Sequence, residues 1–219
     1  MSAAESLNQW NEQFGDVELF PEKAATGGSF AFEMDLAYPC RVTSAKCVRS
    51  KLGDLQVELQ FDVQAGEGER DDVPVVGKSR VWLDLPKQPG DLKRDRETVI
   101  KMTQRRYENL LRVLSAAAPA RYSLYSEKKG SKNNYSFYDF DGEKMDTDDF
   151  NDRKQEIHTA CVNFADGLDE GQDIEILQDT LLYIQKKANP RNEKYPFVNY
   201  YARRPDNLKV FSGNEKVPF

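Results

Sequence analysis

Residues 55–63, LQVELQFDV, restrict the possible folds of this chain more than any other stretch. Leu55, Val57, Leu59, Phe61 and Val63 alternate strictly with Gln56, Glu58, Gln60 and Asp62. Successive side chains of a strand point to opposite faces, so this period of two demands a half-buried β-strand with one apolar and one wet face. Residues 51–54, KLGD, read as a hairpin turn leading in from a strand at YPCRVTSAKCVRS. A third strand is expected at GKSRVWLDLP, with Val81, Leu83 and Leu85 on its apolar face and Lys78, Arg80 and Trp82 on the other.

The period then changes. In DRETVIKMTQRRYENLLRVLSAAAP, residues Ile100, Thr103, Tyr107, Leu110, Leu111 and Leu114 recur at helical spacing, and Pro119 stops the run. A hairpin with a basic tip, EKKGSKNN, is expected within residues 120–142. A second helix should follow from Thr147, read as its N-cap, to Gly167, with acids in the first turn. Two further strands are expected at DIEILQDTLLYIQKKA and PFVNYYARRP. Three strands, a helix and more strands predict a mainly β chain with one or two inserted α-helices. The arrangement that suits them is an OB-like closed antiparallel β-barrel, an α+β fold in the broad sense. At 219 residues and 39% hydrophobic content there is enough apolar material for one such core. Residues 1–28 lack periodicity and are expected to be a flexible leader, 29–211 the domain, and 212–219 a C-terminal tail.

Enzyme chemistry finds little purchase. The sequence holds no phosphate-cradling glycine loop, no dinucleotide fingerprint and no nucleophile elbow. Its single histidine, His158, falls in a helical pattern as a packing residue. A zinc set would need His158 and Cys161 with Cys40 and Cys47, but an unbroken strand points residues seven apart to opposite faces. Three buried thiols are therefore expected, with no metal and no cofactor. Asp54, Glu58 and Asp62 share the wet face of their strand without the lysine a metal-dependent nuclease would place beside them. No catalytic residues are expected, although a nuclease remains the enzymatic alternative. Sparse cysteines, no apolar run of ~18 residues and no secretory pattern point to a cytoplasmic protein without a membrane partner.

The most informative stretch chemically is residues 195–207, YPFVNYYARRPDN. A core strand would not carry Arg203 and Arg204, and a plain loop would not carry Phe197, Tyr200 and Tyr201. The whole chain has a net charge of −6, yet residues 183–211 hold Lys186, Lys187, Arg191, Lys194, Arg203, Arg204 and Lys209 against only Glu193 and Asp206. Flat rings interleaved with cations suit unpaired bases and phosphates together, which is what single-stranded nucleic acid presents. Strand parity puts Tyr200 on the core side and Phe197, Tyr201 and Arg203 on the other. Tyr183 and Lys187 are expected to extend that wall. Lys78, Arg80 and Trp82, with Tyr125, Lys128, Lys129 and Tyr138 near the basic hairpin tip, are expected to supply the opposite wall.

The strand and turn pattern of residues 29–207 resembles bacteriophage single-stranded DNA-binding proteins of the OB-fold kind. It is carried by GGSFAFEMDLAYPCRVTSAKCVRSKLGDLQVELQFDV, VGKSRVWLDLP and LLYIQKKANPRNEKYPFVNYYARRPDN. The resemblance implies sequence-tolerant coating of single strands in replication or recombination, without catalysis. The chain also ends NEKVPF. Val217, Pro218 and Phe219 resemble the apolar tip by which bacterial single-stranded DNA-binding proteins dock replication and recombination enzymes, whereas Asn214, Glu215 and Lys216 replace the expected aspartates. A phage structural or assembly protein, using its aromatic strip as a protein interface, is the non-enzymatic alternative.

Overall fold

In the computed structural model, residues 30–51, 53–66, 73–86, 95–128, 135–190 and 196–212 are described. The expected leader, the Lys129 tip and the Val217–Pro218–Phe219 end lie outside them, as does all of the tail beyond Ser212.

Strands β1 (Ala37–Arg49), β2 (Leu55–Gln64) and β3 (Val75–Asp84) form an antiparallel meander. The alternation in β2 holds: Val57, Leu59, Phe61 and Val63 are buried and Gln60 is exposed. In β3 the same parity buries Ser79, Val81 and Leu83 and exposes Lys78, Arg80 and Trp82. Strands β7 (Leu181–Lys187) and β8 (Phe197–Tyr201) complete a five-stranded antiparallel sheet of order β3-β2-β1-β7-β8. A small antiparallel sheet holds β4 (Tyr125–Lys128), β5 (Tyr135–Tyr138) and β6 (Lys144–Met145). The chain is thus mainly β with inserted helices. Among the described residues no ladder joins the edge strands β3 and β8. They are linked instead by the Tyr200 hydroxyl, which donates to the Trp82 carbonyl at 3.5 Å, and by helix α1 (Arg96–Ala117), which packs against both.

Strand β1 departs from simple parity. Val42 pairs with Phe61 but Ser44 with Gln60, so Thr43 is an extra residue bulged out of the ladder. The bulge resets the alternation, and Cys40, Val42, Ala45 and Cys47 all reach the core. The expectation that Cys40 and Cys47 point to opposite faces is therefore corrected. All three thiols are free and buried, and among the described residues no group of three or more histidine, cysteine and acidic side chains is placed to hold a metal ion.

One end of the core is filled by aromatic rings. Phe30 and Phe32 pack edge-on against Tyr38, and Phe211 stacks on its other side at 5.0 Å. Gly77 makes this possible, because a Cβ there would collide with the Phe30 ring.

Helix α1 starts where the Asp95 carboxylate accepts from the Thr98 amide at 2.9 Å, and it buries Leu110, Val113 and Leu114. The single turn α2 (Pro119–Tyr122) follows directly. Helix α3 (Thr147–Asp166) buries Ile157 and Cys161 and ends at Gly167. Its N-cap is Asp146, not the expected Thr147: the Asp146 carboxylate accepts from both the Asp148 and Asp149 amides at 2.9 Å. The segment 174–180, expected as strand, contains a 3₁₀ turn at Glu175–Leu177 before β7 begins. Among the described residues no helix is long and apolar enough to cross a membrane.

Candidate nucleic-acid interface

Strand β8 separates its side chains as parity requires. Tyr200 is buried, Phe197 is 37% exposed and Tyr201 is half-buried on the opposite face. What parity cannot reveal is the second layer of this strip, which comes from α1. Arg105 and Arg112 lie seven residues apart, two helical turns, and so project from one side of the helix. The Arg105 guanidinium sits 4.1 Å from the centre of the Phe197 ring, and that of Arg112 sits 5.7 Å from Tyr201. A third pair continues the series. Arg203, just past β8, lies over the Tyr125 ring at 4.2 Å and also donates to the Tyr125 hydroxyl. Three rings and three guanidiniums thus run together along β8 and beyond it.

The strip is anchored from the neighbouring strand β7. The Tyr201 hydroxyl donates to Gln185 Oε1 at 3.0 Å, and the Asn199 amide donates to the same oxygen at 3.3 Å. Gln185 is fully buried, and its own amide donates to the Asp35 carbonyl at 3.0 Å. Tyr201 is therefore fixed by its far end while the residue as a whole stays half-buried. Burial pulls the Arg105 guanidinium below its ordinary pKa, partly offset by Asp84 and Glu108. It remains a cation at any working pH.

Of the residues singled out from sequence, Phe197, Tyr201, Arg203 and Tyr125 are brought into this strip. Lys187 is exposed opposite Phe197 in register, and Tyr138 stands directly across from Tyr125. Lys128 ends β4. Tyr183 is different: at 3% exposure it is interior. Strand β7 lies between β1 and β8, and both of its faces are covered from Leu182 to Gln185, so the expectation of an exposed Tyr183 ring is corrected. Lys78, Arg80 and Trp82 form a separate patch on the outer face of β3. Trp82 is 46% exposed, with the Arg80 guanidinium 5.2 Å from its ring. Across the ladder Asp62 faces Lys78 and Glu58 faces Trp82, and Arg80 reaches Glu58 at 3.9 Å, so this patch is close to charge balance.

Sequence reasoning missed the helix cations. Their signal was present in the sevenfold spacing of Arg105 and Arg112, but the helix was read only for its apolar positions. It also missed a cavity of about 510 Å³ at the far end of the strip, lined in part by Arg112, Arg203, Lys154, Tyr122, Phe140 and Phe150. Comparison with protein-family models, curated proteins and solved structures finds no match.

Proposed function

We propose that this chain is a sequence-tolerant single-stranded DNA-binding protein of OB type, serving phage replication or recombination without catalysis. The observation that carries the proposal is the paired strip along β8: Phe197 with Arg105, Tyr201 with Arg112 and Tyr125 with Arg203. A flat ring stacks on any base, and the adjacent guanidinium donates to phosphate, so the pairing selects for single strands without reading sequence. The exchange is favourable in magnitude. An exposed cation–π contact is worth ~0.5–1 kcal/mol, whereas stacking a base on an aromatic side chain is worth ~1–3 kcal/mol. A base can displace the guanidinium, which is then released towards the backbone.

The architecture supports the OB reading. An OB barrel is a partly open five-stranded Greek-key sheet that binds along the face of its second and third strands. Here the five-stranded sheet has a bulge at Thr43 in its first strand, carries α1 between its third and fourth strands, and bears Arg80 and Trp82 on the outer face of β3. The deciding experiment titrates labelled oligo-dT and the matching duplex with the full chain at two salt concentrations. Binding of the single strand that weakens with salt, and much weaker binding of duplex, is expected. No retention of oligo-dT at low salt would refute the proposal and favour a protein interface, and cleavage in Mg²⁺ would favour a nuclease.

A further inference from the structure

The cavity beyond the strip has a composition that the strip alone does not explain. Its lining includes apolar side chains, Leu111 and Ala116 on α1 and Ile157 on α3, and the rings of Tyr122, Phe140 and Phe150. Its cations are Arg112, Lys154 and Arg203, and no acid is among the described lining residues. In a chain of net charge −6 that bias is not a general property of the surface. An apolar, ring-lined hollow with several cations fits a flat aromatic group bearing an anion. About 510 Å³ lies in the range of small-ligand sites, ~300–1,000 Å³, and suits one nucleotide rather than a length of strand.

The frame is braced before any ligand arrives. Ser115 Oγ donates to the Tyr122 carbonyl at 2.7 Å, which ties α1 to α2. Arg153 donates to the Ala120 and Arg121 carbonyls at 2.9 and 3.3 Å, which ties α3 to the same turn. Phe150 is held against Phe137, ring centres 4.1 Å apart. A hollow braced on three sides does not have to be ordered at the moment of binding. It is also continuous with the strip, because Arg112 and Arg203 belong to both.

We propose that this cavity takes one unpaired nucleobase swung out of the bound strand, with Arg112, Lys154 and Arg203 holding the flanking phosphate. The inference rests on the single-strand-binding reading. It goes beyond that reading by giving one nucleotide in each bound segment its own site, so the protein would sit on the strand with a defined phase. A nucleobase is favoured over an apolar peptide side chain because the latter gives the three cations nothing to neutralise.

The test uses the full chain and oligo-dT in which a single abasic position is moved along the strand, read by fluorescence anisotropy. Ala116→Met fills the hollow from a helix position with a good helix former. Lys154→Gln removes one cation from an exposed position and keeps the test valid if Ala116→Met folds poorly. For the wild type, one abasic position should cost more than the others. Ala116→Met should weaken binding about 5- to 150-fold, the equivalent of one lost stack, and abolish that position dependence. Lys154→Gln should weaken binding and lower the salt slope by about 0.7. If the wild type binds oligo-dT and both variants bind as well as it does, base insertion is overturned while the strip stands, and the cavity is left to a protein side chain. If the wild type does not bind oligo-dT at all, the strip reading and this one fall together.

Discussion

Replacing Phe197 with alanine isolates the stacking contribution of the strip. The ring is 37% exposed and lies outside the core cluster, so its removal should leave the fold intact. Two geometries bound the effect. If the base takes the ring face free of Arg105, the full stacking of ~1–3 kcal/mol is lost, which is about 5- to 150-fold in Kd. If the base must displace the Arg105 guanidinium, 4.1 Å from the ring centre, a cation–π contact of ~0.5–1 kcal/mol is subtracted. The net loss is then ~0–2.5 kcal/mol, at most about 70-fold. In both cases no phosphate contact goes, so the slope of log Kd against log salt should not change. Arg203→Gln should show the complementary behaviour, a lower slope by about 0.7. Anisotropy titrations of labelled oligo-dT at three or more salt concentrations measure affinity and slope together. Wild-type affinity in both Phe197→Ala and Tyr201→Ala would refute the stacking argument. So would a loss in Phe197→Ala that came entirely through the slope.

Other consequences concern the fold. Asp146→Ala should lower stability by about 0.5–2 kcal/mol through loss of the α3 cap, while Thr147→Ala should change little; thermal melts compare the two. Gly77→Ala should cost about 1–3 kcal/mol by forcing a methyl into the Phe30 ring, and a cycle with Phe30→Ala should be non-additive; additive costs would mean the two residues do not meet. Burial raises the Cys161 thiol from its ordinary value of 9.0 to about 12. The folded state therefore keeps its proton where the unfolded state loses it. That contribution to stability is complete below about pH 9 and disappears as pH rises towards about 12. At pH 8.5 a thiol reagent should leave Cys40, Cys47 and Cys161 unmodified until denaturant is added, and a rapid reaction in the native state would contradict their burial.

The local pattern of the chain determined most of its elements. The alternation in β2, the helical spacing of α1 and the extent of α3 are written in short-range periodicity, because a single strand or helix needs one face wet and one dry. The same rule placed Tyr200 inward and Phe197 and Tyr201 outward. Tertiary structure decided what periodicity cannot encode. Thr43 is bulged out of the β1–β2 ladder, and that one residue brings Cys47 to the same face as Cys40. Tyr183 is interior because both faces of β7 are covered from Leu182 to Gln185, a fact about neighbours rather than about the segment itself. Two of the three guanidiniums of the strip, Arg105 and Arg112, come from a helix some 90 residues before the rings they cover. Likewise the cavity draws on α1, α2, α3 and the residues after β8. Contacts so distant along the chain arise from packing, and packing leaves no period in the sequence.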